Sequence, residues 1–163
     1  MSNMTISGTQ ARVRATRGGK FLTFFLDKEE YGIEILSVRE IIGLLPVTPV
    51  PQSPYYVRGV VNLRGQVIPV VDLRLKFDMP SLPATDETCI IVVQTGEAQL
   101  GIIVDKVSEV RDVLGHDIVD APTLGQEINT DYILGIGKAG SRVLLLLDIG
   151  RVFPVADLAE LAA

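Results

Sequence analysis

YVRGVVNLRGQVIPVVDLRLKF, Tyr56 to Phe77, decides the fold, because the chain writes it a second time as YILGIGKAGSRVLLLLDIGRVF, Tyr132 to Phe153. With one constant shift of 76 positions (132 − 56) and no gap, Tyr56 falls on Tyr132, Gly59 on Gly135, Val67 on Val143, Asp72 on Asp148 and Phe77 on Phe153. Upstream, FLTFFLDKEEYGIEILSVREI from Phe21 lies over IIVVQTGEAQLGIIVDKVSEV from Ile90 at a shift of 69 (90 − 21). There Gly32 meets Gly101, Ile33 meets Ile102, Val38 meets Val107 and Glu40 meets Glu109. Self-similarity of this length marks one supersecondary unit used twice.

Each unit reads as strand. FLTFFL and CIIVVQ are short apolar runs, followed by the turns DKEE and TGEA and then by YGIEI and LGIIV, which makes a hairpin at the head of each unit. VVNL-RG-QVIPVVDL and ILGI-GKAGS-RVLLLLDI give a second hairpin, with SVREII and KVSEVRDV as strands between. Pro69 pushes its run toward an edge or a bulge, since proline cannot donate to a ladder. Four or five short strands per unit with both faces apolar predict an all-β chain of two small barrels related by internal duplication. The clearest helix is the tail PVADLAELAA, with Pro154 near its start.

The bulk numbers fit a protein of this kind. The 163 residues carry 47% hydrophobic, 21% charged and 6% aromatic side chains, with net charge −5. A domain of this length buries roughly two thirds of its unfolded surface, so it needs no staples. An acidic chain argues against a nucleic-acid or anionic-membrane surface. Residues 1–20 read as a flexible polar arm with no signal-peptide core, and no run approaches the ~20 apolar residues of a membrane span. The lone thiol, Cys89, sits in the apolar stretch TCIIVVQ and reads as a core residue in a reducing compartment, so a cytoplasmic location is expected.

Sites for chemistry are scarce. GIGKAG, Gly135 to Gly140, matches a dinucleotide-binding spacing, but a strand-like SRVLLLLDI follows it instead of a helix, so its glycines turn a hairpin. His116 is the only histidine, and no His/Cys/carboxylate cluster suggests zinc. Cys89 has no electropositive neighbour in sequence to lower its pKa. Asp72 and Asp148 hold equivalent places at strand ends, which favours capping over acid/base work. PVTPVPQSP, residues 46–54, reads as a stiff connection packed on a barrel. No enzyme, metal or other cofactor is expected.

Arg64 stands out as a cation at the tip of a greasy hairpin. It could solvate the turn, hold a phosphate or grip another protein. Its counterpart in the second unit is Gly140, so the repeat does not itself require a cation there. Glu40 precedes it in the same unit and could orient the guanidinium, whose planar fork suits a partner's carboxylate.

YGIEILSVREI, VTPVPQSPYYVRGVVNLRGQVIPVVDLRLKF, GIIVDKVSEV and ILGIG…LLLLDI together resemble the CheW coupling proteins of bacterial chemotaxis. The resemblance runs from about Phe21 to Phe153 and rests chiefly on V-N-L-R-G-x-V-x-P-V-V-D-L-R. It implies two five-stranded SH3-like barrels, a first unit over about 21–77 and a second over about 88–153, between the arm 1–20 and the tail 154–163. It also implies a non-catalytic adaptor that joins the cytoplasmic tips of chemoreceptors to the regulatory domain of a CheA-type histidine kinase in membrane-associated arrays. Carried over by position, the receptor-facing groove between the barrels includes Ile35, Val38, Glu40, Arg64, Val107 and Val110. The kinase contact uses another face of the first barrel, near Val47, Val50 and Gly59. The same adaptor serving a type IV pilus or other chemosensory-like pathway is an alternative. A ligand- or nucleic-acid-binding barrel is a more distant one, because it wants exposed aromatics and a basic groove.

Overall fold

The computed structural model describes residues 18–119 and 132–153. Among them are β1 (Gly19–Leu26), β2 (Glu29–Glu34), β3 (Val38–Gly43), β4 (Val57–Leu63), β5 (Gln66–Asp72), β6 (Cys89–Thr95), β7 (Ala98–Val104), β8 (Lys106–Val113), β9 (Ile118–Val119), β10 (Ile133–Ala139) and β11 (Arg142–Leu147). Short helices at Leu73–Lys76 and Ile149–Val152 follow β5 and β11. The expected tail helix over 154–163, and the arm up to residue 17, lie outside the described residues.

The strands form two sheets, β8-β1-β2-β11-β10-β9 and β3-β6-β7-β5-β4. Each curls on itself. In the second sheet Ile42 of β3 and Val61 of β4 come from opposite ends of the strand order yet share one apolar cluster with Ile68, Val70, Ile90 and Val92. In the first, Val113 of β8 and Ile118 of β9 likewise meet around Phe21, Leu144 and Leu146. A third and larger cluster joins the two barrels, taking Leu22, Phe24, Leu26 and Ile33 from one and Val71, Ile91, Val93 and Ile102 from the other. Strand periodicity explains this sharing. In β6, Ile90 and Val92 enter the barrel core while Ile91 and Val93 enter the central one, which is why the run carries no polar alternation.

The duplication survives strand by strand. Shifts of 69 and 76 carry β1, β2 and β3 onto β6, β7 and β8, and β4 and β5 onto β10 and β11. Neither barrel, however, coincides with one of the repeats 21–77 and 88–153. The β1–β2 hairpin leaves its own unit to pair with β8 on one side and, in parallel, with β11 on the other. The β6–β7 hairpin reciprocates, pairing with β3 and, in parallel, with β5. Registers match under the repeat, Leu146 facing Gly32 as Val70 faces Gly101. The aromatic contacts cross over in the same way, with Phe77 stacked on Tyr132 and Phe153 tilted on Tyr56. The two units are thus intertwined. Each hairpin has two open edges, and the partner unit supplies equivalent edges at the barrel seam.

Pro69 also sits differently from expectation. β5 lies inside its sheet, between β7 and β4, and not at an edge. The parallel ladder with β7 begins only at Val70, so the proline stands one residue before a donor is needed on that side.

Candidate functional site

The β4–β5 hairpin closes in two residues, Arg64 and Gly65, both with positive φ, +53° and +84°. That is the turn whose twist suits antiparallel strands, and Asn62 Oδ1 secures it by accepting from the Gly65 amide at 2.8 Å. The left-handed backbone at a non-glycine residue throws the Arg64 side chain sideways to β3. There its Nη2 donates to both oxygens of Glu40, 2.7 Å to Oε1. Arg64 remains 70% exposed. Exposed pairs of this sort are worth about 0–1 kcal/mol, so the contact orients the guanidinium more than it stabilises the fold. A cleft of ≈ 540 Å³ opens at this point, lined by Val38, Glu40, Leu63, Arg64, Gln66 and Gln99.

Ile35, Val38 and Val107 gather against the central cluster, each half-buried. They therefore serve the core and the surface together, which their sequence context alone does not reveal. Ile35 lies in the 3-10 turn Ile35–Ser37 that carries the chain from β2 to β3. Val107 is the second residue of β8, and its backbone amide reaches the Cys89 thiol, whose strand partner is Gly43 at the end of β3. So β8 begins beside the end of β3, and both are outer strands of their sheets. Val110 stands further along β8, 47% exposed. Between them a bulge places Ser108 and Glu109 opposite Thr23, whose hydroxyl donates to the Glu109 carbonyl (2.9 Å) and accepts from its amide (3.2 Å).

Val47, Val50 and Gly59 fall together on another part of the same barrel. Thr48 and Val60 exchange backbone hydrogen bonds of 2.9 Å, laying residues 46–50 along β4. Val47 packs against the barrel core beside Leu45, and Val50 is half-buried. Gly59 is buried beneath this segment. It lies five residues from Arg64 along β4, about 17 Å at strand rise, so the two patches are separate.

Sequence reasoning missed the charge networks. Arg74, on the helix after β5, is buried and donates through Nε to Asp105 Oδ1 (2.7 Å) and through Nη1 to the Pro80 carbonyl (3.0 Å). Asp105 also accepts from the Asp27 amide at 2.7 Å, so it ties the β1–β2 turn to the other barrel. Burial alone would raise the Asp105 carboxyl, but the hydrogen bonds from Arg74 and Asp27 outweigh it and lower its pKa. Arg58 bridges Asp72 (2.8 Å) and Ser81 (2.9 Å) nearby, and Asp72 Oδ1 caps the helix by accepting from the Arg74 amide. These groups wall a cleft of ≈ 1040 Å³. In the other barrel the Glu30 side chain, 4% exposed, accepts from Arg142 (2.8 Å) and Arg111 (3.2 Å). Burial opposes ionisation of Glu30, but the hydrogen bonds from Arg142 and Arg111 prevail and hold its pKa low. The available signal was an acidic residue in each of two turns, Asp27 and Asp105, with Arg74 just after a capping aspartate.

The chemistry on offer is recognition. Burial pushes the Cys89 thiol pKa up, so the sulfur stays protonated and unreactive at neutral pH. Asp72 caps a helix, as its strand-end place suggested. Its repeat mate Asp148 makes no side-chain cap and instead lies 3.6 Å from Arg151. No group of three or more His, Cys, Asp or Glu placed to hold a metal occurs among the described residues, and no described helix is long and apolar enough to cross a membrane.

Comparison with known proteins points the same way. Residues 20–159 match the family described as the CheW-like domain. The chain is 40% identical over 144 residues to a chemotaxis protein CheW of Klebsiella aerogenes, covering 88% of this chain and 87% of that one. It is 35% identical to a chemotaxis protein CheW of Rhizobium meliloti, covering 90% and 95%. Among solved structures it is similar to the scaffolding protein TtCheW of Thermoanaerobacter tengcongensis, with TM-score 0.78, 30% identity, and coverage of 86% and 95%.

Proposed function

The chain belongs to the CheW family of chemotaxis adaptor proteins, and from that premise we propose that it couples the cytoplasmic tips of chemoreceptors to a CheA-type histidine kinase through two separate faces. The receptor helix lies in the trough flanked by β3 and β8, over Ile35, Val38, Val107 and Val110, with Arg64 meeting a partner carboxylate at its end. An apolar trough with one oriented cation suits a helix laid in a groove. The kinase domain meets the patch of Val47 and Val50, which Gly59 allows to lie flat on β4.

The observation that carries this reading is the Arg64–Glu40 contact. It holds a largely exposed guanidinium in one pose at the rim of an open cleft, at little benefit to stability. The adaptor contributes no reaction step. It links receptor state to kinase state because both faces are occupied in one assembly, and the coupling is an equilibrium quantity. Co-sedimentation with a receptor signalling fragment and a kinase from the same genome tests it. Sedimentation of all three together is expected, and failure of the adaptor to bring kinase down with receptor would refute the proposal.

A further inference from the structure

The two places where the chain crosses from one barrel to the other are equivalent under the repeat, but they are not filled alike. At the β7-to-β8 crossing, Arg74 occupies the gap, buried and held by Asp105. At the β2-to-β3 crossing the shifts of 76 and 69 put Gly150 in the place of Arg74 and Leu36 in the place of Asp105. A cavity of ≈ 320 Å³ stands there, lined by Ile33, Glu34, Ser37, Thr95, Asp148 and Gly150. Thr95 Oγ1 is buried and has no hydrogen-bond partner among the described residues. Its counterpart in the repeat is Leu26, a core residue. In the turn Ile35–Ser37, next to the lining residue Ser37, Leu36 is 92% exposed.

We propose that this vacant crossing is an anchor site for an arginine side chain of the receptor docked in the adjoining groove. This rests on the reading above. Three observations select the occupant. At the twin crossing the fold seats an arginine, Arg74, against Asp105, beside the ≈ 1040 Å³ cleft that remains there. Glu34 and Asp148 give the cavity two carboxylates, and the only cation among the described residues seen near either is Arg151, an exposed residue 3.6 Å from Asp148. A guanidinium has donors enough for both carboxylates and for the orphaned Thr95 hydroxyl, while its stem lies on Ile33. Continuity commits the site to the receptor: Glu34, Leu36 and Ser37 alternate with or flank Ile35 and Val38, the groove residues on the same turn. Leu36 then packs against apolar surface of the same helix.

The test measures capture of a receptor signalling-tip fragment and of a kinase fragment by the full chain, at low and high salt. Glu34→Gln with Asp148→Asn keeps shape and removes both charges. It is expected to weaken receptor capture about tenfold, to flatten the salt dependence of what remains, and to leave kinase capture unchanged. Leu36→Ser, at a site too exposed to disturb folding, is expected to weaken receptor capture as well. Gly150→Arg fills the gap from within and is expected to compete with the receptor. Native receptor capture by the charge-free double variant, while Arg64→Glu fails, overturns the anchor and leaves the groove standing. If Arg64→Glu also binds normally, the groove reading falls and takes the anchor with it. A loss confined to kinase capture overturns the choice of receptor.

Discussion

Gly59 and Thr48 touch backbone to backbone. A β-carbon on Gly59 would come within 2.1 Å of the Thr48 carbonyl oxygen, and Gly59 itself has φ +144°, a conformation other residues rarely adopt. The segment bearing Val47 and Val50 rests on this absence of a side chain.

Gly59→Ala is therefore expected to destabilise the fold by about 3 kcal/mol or more, with a sharp fall in melting temperature, because none of the contacting atoms belongs to a flexible side chain. Kinase capture falls with it. Val50→Asp, on the surface of the same segment, is expected to reduce kinase capture with a much smaller change in melting. Calorimetry paired with pull-down separates the two.

Arg64→Glu should shift stability by no more than about 1 kcal/mol. It is expected to repel Glu40 and reduce receptor capture. Adding Glu40→Arg restores the pair with reversed sense, so melting returns to native while receptor capture stays low. Recovery of capture in the reversed pair would show that only the internal contact matters.

Val38 and Val110 separate core from surface. Val38→Asp buries a carboxylate beside the central cluster and is expected to cost about 1–3 kcal/mol in addition to receptor binding. Val110→Asp, on the exposed edge of β8, is expected to reduce receptor capture with melting nearly unchanged. Equal losses of stability in the two variants would contradict this placement.

Acid sensitivity follows from Glu30 and Asp105. Both carboxyls titrate below their ordinary values of 4.5 and 3.8 in the folded chain. Their contribution is complete above the unfolded values and disappears as pH falls through the lower folded ones. Melting temperature is thus expected to hold from pH 7 to about 5 and to drop below about 4.5. Glu30→Gln removes part of that acid slope. At neutral pH it costs about 2 kcal/mol, less than a fully buried pair, since both arginines reach solvent. Melting followed across this range checks the sign.

Much of this was legible in the sequence. The repeat placed every main strand, and Arg64 with Glu40 emerged from the turn chemistry of Asn62-Leu63-Arg64-Gly65. The exchange of hairpins was not legible, because β1–β2 and β6–β7 carry interchangeable apolar patterns and either partner satisfies a period of two. Val38 and Val107 read as surface or core with equal ease. Only the packing shows them as both. Arg74 was hidden because its partners, Asp105 and Asp27, are distant in sequence and lie in turns that look merely solvated.

The swapped hairpins carry a consequence for synthesis and for evolution. A nascent chain that has emerged only as far as Phe77 lacks four of the partner strands it needs, so the β3–β7 barrel can close only once β7 has emerged, and the other barrel only once β11 has. Recombination at the repeat boundary would alter both barrels at a stroke. The two proposed docking faces are for that reason inherited as a single unit, and selection on one is felt by the other.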